Sequence, residues 1–279
     1  MTGFPLYILN FLLYGLLSVH FWRSRWRTVA TPEQPRPEKV RSWEKAAILL
    51  PLSLHTVLLY HSLLGATGLN LGVGNAISAI VWLTVLTYWL ASFRSNMEGL
   101  QTMVLSVAAL SVMLPAMLPV MHTIPYSEMH TFKAQVAHLM MALLAYSLFT
   151  IAAMHALLMI VVERRLHSGA MPVLMQNLPP VLTMERLLFR IVWAGFILLT
   201  LTLVSGALFS EEIFHKPLQF SHKIVFAIIS WAIFGALLGG RHIYGWRGRT
   251  ATRWTLAGFA TLLLAYIGSK FVLEVLLNR

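Results

Sequence analysis

The chain has 279 residues, 58% hydrophobic and 11% charged, with 21 Lys and Arg against 10 Asp and Glu, and no cysteine. A soluble domain carries roughly 25% charged residues, so these proportions exclude an ordinary water-soluble fold and point to a multi-span membrane protein. The missing cysteine excludes disulfides, thiol relays, cysteine-bound zinc, iron–sulfur clusters and porphyrin attachment through CxxCH within this chain.

Apolar runs near the 20 residues that cross ~30 Å of hydrocarbon recur eight times, at 4–22, 46–64, 73–93, 99–121, 134–162, 187–209, 221–240 and 253–275. The expected fold is therefore an all-α polytopic membrane protein with a single transmembrane domain over 1–279. The first run, "FPLYILNFLLYGLLSVHFW", lacks a basic n-region and a small-residue cleavage site, so it reads as a retained span and not a signal peptide. The proline-rich "TPEQPRPEK" follows it. The second run carries His55 near its middle and His61 about one and a half turns further on. "LPAMLP" interrupts the fourth with Pro115 and Pro119, which predicts a local kink. The fifth is long enough to tilt or project beyond the bilayer. The seventh opens on "FSHKIVFAIISWAIF", with His222 and Lys223 at its lip.

Lys and Arg are distributed unevenly between these runs. The connections 23–45, 94–98, 163–190 and 241–253 hold sixteen, and the opposite side holds five: Lys133, Lys216, Lys223, Lys270 and Arg279. The positive-inside rule places both termini on the outer, periplasmic side. The basicity is then a topology signal with affinity for anionic lipid headgroups, and nucleic acid is not an expected partner.

Eleven histidines against ten carboxylates is an unusual balance. His122, His130, His138, His215 and His222 fall at the outer side, whereas His20, His155, His167 and His242 fall at the inner. A polar group within a span faces a partner or a cavity, so His55 is either a helix-to-helix hydrogen-bonding residue or a ligand. His138 and His222 lie near the outer ends of the fifth and seventh spans. Two imidazoles carried by neighbouring helices at one depth are what axial coordination of a haem iron needs; two hydrated interfacial histidines are the alternative. "HTIPYSEMH" offers zinc His122, Glu128 and His130, in irregular spacing without an HExxH register. GxSxG, P-loop and paired-carboxylate patterns are absent from the spans. Glu211 and Glu212 read as a solvated lip, and no enzymatic activity is expected. Gly195, Gly206 and Gly235 read as points of close helix approach.

Three stretches carry a family likeness: "GLNLGVGNAISAIVWL" (68–83), "AHLMMALLAYSLFTIAAMHALLMIVVERRL" (137–166) and the segment 221–277, with "GWRGR" and "LAYIGSKFVLEV". They resemble the cytochrome c assembly superfamily of CcsA-, CcmC- and HemX-like proteins, and in particular the YpjD-type inner-membrane proteins of Gram-negative bacteria. The resemblance implies a multi-pass protein of the bacterial inner membrane that handles haem at its outer face, helping cytochrome c assembly or haem delivery. It would bind haem b non-covalently, with cytochrome c assembly proteins as partners. His138 stands where the first external histidine of the assembly members stands, in the helix that also holds Tyr146. Their tryptophan-rich segment corresponds to 209–223, which reads "FSEEIFHKPLQFSHK" and holds no tryptophan. His222 falls on the proline of their "WDPKE", and their later external histidine has no counterpart near 269–279. The second iron ligand is thus expected at His222, with His55 as a further haem-binding position. HemX-like relatives also lack the tryptophan motif, which leaves a regulator or scaffold for a haem-biosynthesis enzyme, docked on 163–190 and 241–253, as the alternative. A small-solute transporter is a weaker one, since the spans show no inverted repeat.

Overall fold

A computed structural model describes residues 3–26, 42–65, 68–94, 97, 99–118, 123–125, 132–167, 178, 180–208 and 222–268. Its helices are α1 (Phe4–Phe21), which runs on into a π-helical turn (Trp22–Trp26), α2 (Ser42–Leu63), α3 (Val73–Ala91), α4 (Leu100–Val112), the short α5 (Leu114–Met117), α6 (Phe132–His167), α7 (Val181–Leu208), α8 (His222–Ile243) and α9 (Gly248–Leu263). A second π-helical turn, Leu264–Gly268, continues α9. Among the described residues seven helices are long and apolar enough to cross a membrane: the expected first seven runs, within a few residues at most ends. The eighth run appears as the 16-residue α9 with its π turn.

Two local departures have plain causes. Pro115 has no N–H to continue the α4 ladder, so the helix breaks at Met113 and restarts as α5 before Leu118 turns extended. The fold is also not purely α. Gly68–Asn70 (β1) and Thr123–Pro125 (β2) pair antiparallel, Leu69 opposite Ile124. This ribbon joins the chain after α2 to the chain after α5. Beneath it the Asn75 amide donates to the carbonyls of Ser62 and Asn70, at 2.9 and 3.0 Å.

The helices pack as two groups sharing α6, which touches α3, α4, α7 and α9. In the first group α1 lies against α2 and α4, and α3 packs on α2, α4 and α6. In the second, α8 lies between α7 and α9. The centre of that group is a pair of stacked rings, Phe149 on α6 and Phe234 on α8, 3.9 Å apart and 14° from parallel. A Cβ at Gly195 of α7 would sit 3.0 Å from Phe149, and one at Gly258 of α9 would sit 2.8 Å from Phe234. Two glycines therefore let four helices close on one aromatic plug, the tight contact that substitutes for a hydrophobic driving force in lipid.

One end of the bundle carries the ribbon and the other the arginines. At the basic end Glu44, buried at the start of α2, meets His20 Nε2 at 3.0 Å, and Lys45 donates to the Ser92 carbonyl at 3.1 Å. Glu185, 3% exposed, gathers the α8–α9 connection. It accepts from Arg241 and from the Gly248 backbone N–H (3.2 Å), with Arg247 3.8 Å away. Arg249 reaches Glu163 of α6 at 2.8 Å. Three arginines of the segment expected to dock a cytoplasmic partner are thus held by the chain's own carboxylates.

Candidate functional site: two histidine environments

His138 lies within the second turn of α6, half-buried against α7. Its Nδ1 is 2.8 Å from Ser205 Oγ, and Ser205 Oγ donates to the Thr202 carbonyl at 3.1 Å. Ser205 thereby ties the His138 ring of α6 to α7, the kind of hydrogen bond that orients a metal-ligating histidine through its other nitrogen. Gly206, one residue on, leaves room for the ring: a Cβ there would meet His138 Cε1 at 3.3 Å.

Two turns deeper on α6, Tyr146 donates to the Leu262 carbonyl at 2.9 Å, where α9 is about to widen into its π turn. Such a turn shifts the hydrogen-bond register and leaves carbonyls for outside donors. Tyr146 faces Tyr266 edge-on at 6.5 Å, and Lys223 Nζ of α8 stands 6.0 Å over the Tyr266 ring. His222 is the first residue of α8, exposed beside Lys223. Helices α6 to α9 thus contribute His138, Ser205, Lys223 and Tyr266 to one end of the second group, with the Phe149–Phe234 stack closing the helices below.

His55 is placed differently. It is wholly buried between α1, α2 and α3, with Nδ1 3.3 Å from Tyr14 Oη and Nε2 2.8 Å from Ser78 Oγ. Asn10, also wholly buried, satisfies both ends of its amide by donating to the Pro51 carbonyl and accepting from the His55 backbone N–H, each at 3.1 Å. These two groups are one helical rung, four residues apart on α2, so Asn10 reinforces the ladder just after its proline. An iron atom at His55 would have to displace one of two hydroxyls.

The remaining histidines are scattered. His155 donates from Nε2 to the Met184 carbonyl at 2.9 Å, His20 meets Glu44, His61 lies edge-on to Tyr60, and His242 is exposed at the basic end. His122, Glu128, His130, Glu211, Glu212 and His215 lie outside the described residues, as does the side chain of His167. Among the described residues no three His, Cys, Asp or Glu side chains converge on a metal position.

Haem suits this donor set in one respect, since axial ligation takes imidazole nitrogens and the His138 ring is oriented by Ser205. Sequence reasoning singled out His138 but missed Ser205; the only hint was a serine beside Gly206 in "LTLVSGAL". It also missed Asn10, Tyr14 and Ser78, three residues scattered over two other helices.

The family described as Cytochrome C assembly protein matches residues 43–277. The chain is 27% identical to the Inner membrane protein YpjD of Escherichia coli (strain K12) over 244 residues, 86% of this chain and 90% of that one. It is 34% identical over 89 residues to the Cytochrome c biogenesis protein CcsA of Prochlorococcus marinus (strain MIT 9515), covering 32% and 28% of the two chains. With the CcsA of Synechocystis sp. the identity is 30% over 108 residues, 39% and 32% of the two chains.

Proposed function

The chain belongs to the cytochrome c assembly protein family and is a multi-pass inner-membrane protein; from that premise we propose that it binds haem non-covalently at the periplasmic end of α6–α9 and presents it for cytochrome c assembly. The observation that carries the reading is the 2.8 Å contact between His138 Nδ1 and Ser205 Oγ, which orients an imidazole of α6 at this end of the bundle. His222 is assigned as the second axial ligand. Its support is its place at the first turn of α8, at the same end of the bundle. His55 is assigned to helix anchoring, because both of its ring nitrogens have hydroxyl partners.

The orientation belongs to this proposal. The basic end is cytoplasmic by the positive-inside rule, α9 and its continuation make an eighth span, and both termini are periplasmic. Bound haem would supply an iron that accepts and releases nitrogen ligands. The protein residues hold and orient: Ser205 fixes the His138 ring, Gly206 admits it, and the Phe149–Phe234 stack closes the helices beneath. Lys223 adds a positive charge at this mouth, suited to a propionate. Binding and release are ligand exchange, so no covalent chemistry is assigned to this chain. The name CcsA describes a protein of cytochrome c biogenesis, and by likeness cytochrome c assembly proteins are the partners proposed here.

The experiment is an absorption spectrum of the detergent-purified protein, oxidised and reduced. We expect a Soret band that His138→Ala and His222→Ala each diminish and His55→Ala leaves in place. A spectrum unchanged in both of the first two variants removes the ligand assignment.

A further inference from the structure

The lip that carries His222 and Lys223 is the start of α8, and helix ends open most readily unless something ties them down. Deeper in α8 the ties are plain. Ser230 Oγ, wholly buried, donates to the Gly258 carbonyl of α9 at 2.9 Å. The Trp231 indole N–H donates to Thr200 Oγ1 of α7, also at 2.9 Å, and Phe234 fills the aromatic plug. Nearer the lip, α8 rests on the π turn of α9. There Lys223 Nζ stands 6.0 Å over the Tyr266 ring, at the outer reach of a cation–π contact.

Where Tyr266 points is set by that turn. Replacing i→i+4 bonds by i→i+5 bonds admits one extra residue, and one residue is roughly 100° of rotation about a helix axis. With α-helical bonds throughout, the side chains of the turn would be rotated off their present directions, Tyr266 among them. Tyr146 supports the turn from α6. Its hydroxyl donates to the Leu262 carbonyl at 2.9 Å, just before the turn, and its ring meets Tyr266 edge-on at 6.5 Å and 62°. A buried tyrosine needs some acceptor for its hydroxyl, which alone accounts for the first contact. It does not account for the second, made to the ring on which Lys223 rests.

We propose that Tyr146 is a positioning residue: by holding the π turn of α9 it keeps Tyr266 beneath Lys223, and so fixes the first turns of α8 that carry His222. What His222 holds there, a haem iron, is the reading given above, on which this inference rests only for the second of its two measurements. Tyr146 itself touches no ligand in this scheme.

The first measurement needs no haem. Hydrogen exchange of the detergent-purified full chain is followed at the amides of 226–229, which close the first turns of α8. Tyr146→Phe and Tyr266→Leu should speed it about two- to fivefold, the size of a cation–π contact at an exposed site. Tyr266→Phe keeps the ring and should restore the slow exchange that Tyr266→Leu loses. Ser230→Ala removes a bond of equal length between the same two helices, deeper in the bundle, and should leave these amides unchanged. In the second measurement hemin is added to the same proteins. We expect a six-coordinate, low-spin spectrum in the unaltered chain and a five-coordinate, high-spin one in Tyr146→Phe, with His138 still bound to the iron. Unchanged exchange in Tyr146→Phe, or equal acceleration in Ser230→Ala, would overturn the proposal and leave the haem reading standing. The expected exchange pattern in a chain that takes up no hemin would overturn the haem reading alone. A low-spin spectrum in a Tyr146→Phe chain whose exchange has risen would sever the link to His222. Should Tyr146→Phe misfold by circular dichroism, the Tyr266→Leu and Tyr266→Phe pair decides.

Discussion

The two helical groups around α6 are held by different means. The first, α1 to α4, is tied by small polar contacts inside the membrane-spanning region: Asn10 to α2, His55 to Tyr14 and Ser78, and Ser18 to Ser106. The second, α6 to α9, is filled by two stacked phenylalanines between glycines and buckled at its basic end by Glu185. The difference separates two histidines of the same sequence class. In the first group a histidine sits wholly inside a polar knot and serves the packing. In the second the aromatic plug carries the packing, and the half-buried histidine above it meets a single serine hydroxyl of α7 through Nδ1.

The sharpest way to break this contrast is Phe234→Ala. Large-to-small changes in water-soluble cores cost about 3–5 kcal/mol. In lipid the lost packing dominates over transfer, so we expect about 3 kcal/mol, read as a lowered midpoint of unfolding in detergent. A negligible shift would mean that the plug does not hold the second group. Glu185→Ala should come close behind, at about 3 kcal/mol, because it strands Arg241 at a largely buried carboxylate site. Its readout is proteolysis of the α8–α9 connection together with the unfolding midpoint.

His55→Ala tests the first group. It leaves the Tyr14 and Ser78 hydroxyls without their ring partner, and unsatisfied buried groups cost about 1–3 kcal/mol each. We expect about 2 kcal/mol of destabilisation with the Soret band intact; a lost band with unchanged stability would reverse the roles of the two histidines. Ser205→Ala is the subtle case. Outer-shell partners of ligating histidines are worth about 10–100-fold in metal affinity, so haem affinity should fall about tenfold while the unfolding midpoint barely moves. The smallest effect is expected for Trp231→Phe, which removes an exposed indole bond to Thr200 at 2.9 Å; interhelical bonds of this kind average about 0.6 kcal/mol.

Much of this was legible in advance because hydrocarbon imposes a simple code. Length and apolarity marked eight runs, the first seven of which are membrane-length helices among the described residues, and the proline after Leu114 marked the break of the fourth. Gly195 and Gly206 were readable as points of close approach, and each does receive a side chain from α6. His138 was readable from its place near a helix end. The ribbon between β1 and β2 was not, since three-residue strands 50 or more positions apart leave no periodicity to find. The arginines of 241–249 were read as a charge signal and a docking surface; their engagement by Glu185 and Glu163 depends on carboxylates from other helices. His55 and His138 could not be told apart by composition, because each lies in an equally apolar run.

What the sequence by itself determined is the set of helices and their charge asymmetry, since each follows from how single residues partition between water and lipid. What only the tertiary structure decided is which partners each histidine meets: hydroxyls of α1 and α3 on both nitrogens of His55, a serine of α7 at Nδ1 of His138. Those partners come from other helices, and no property of the histidine's own segment contains them.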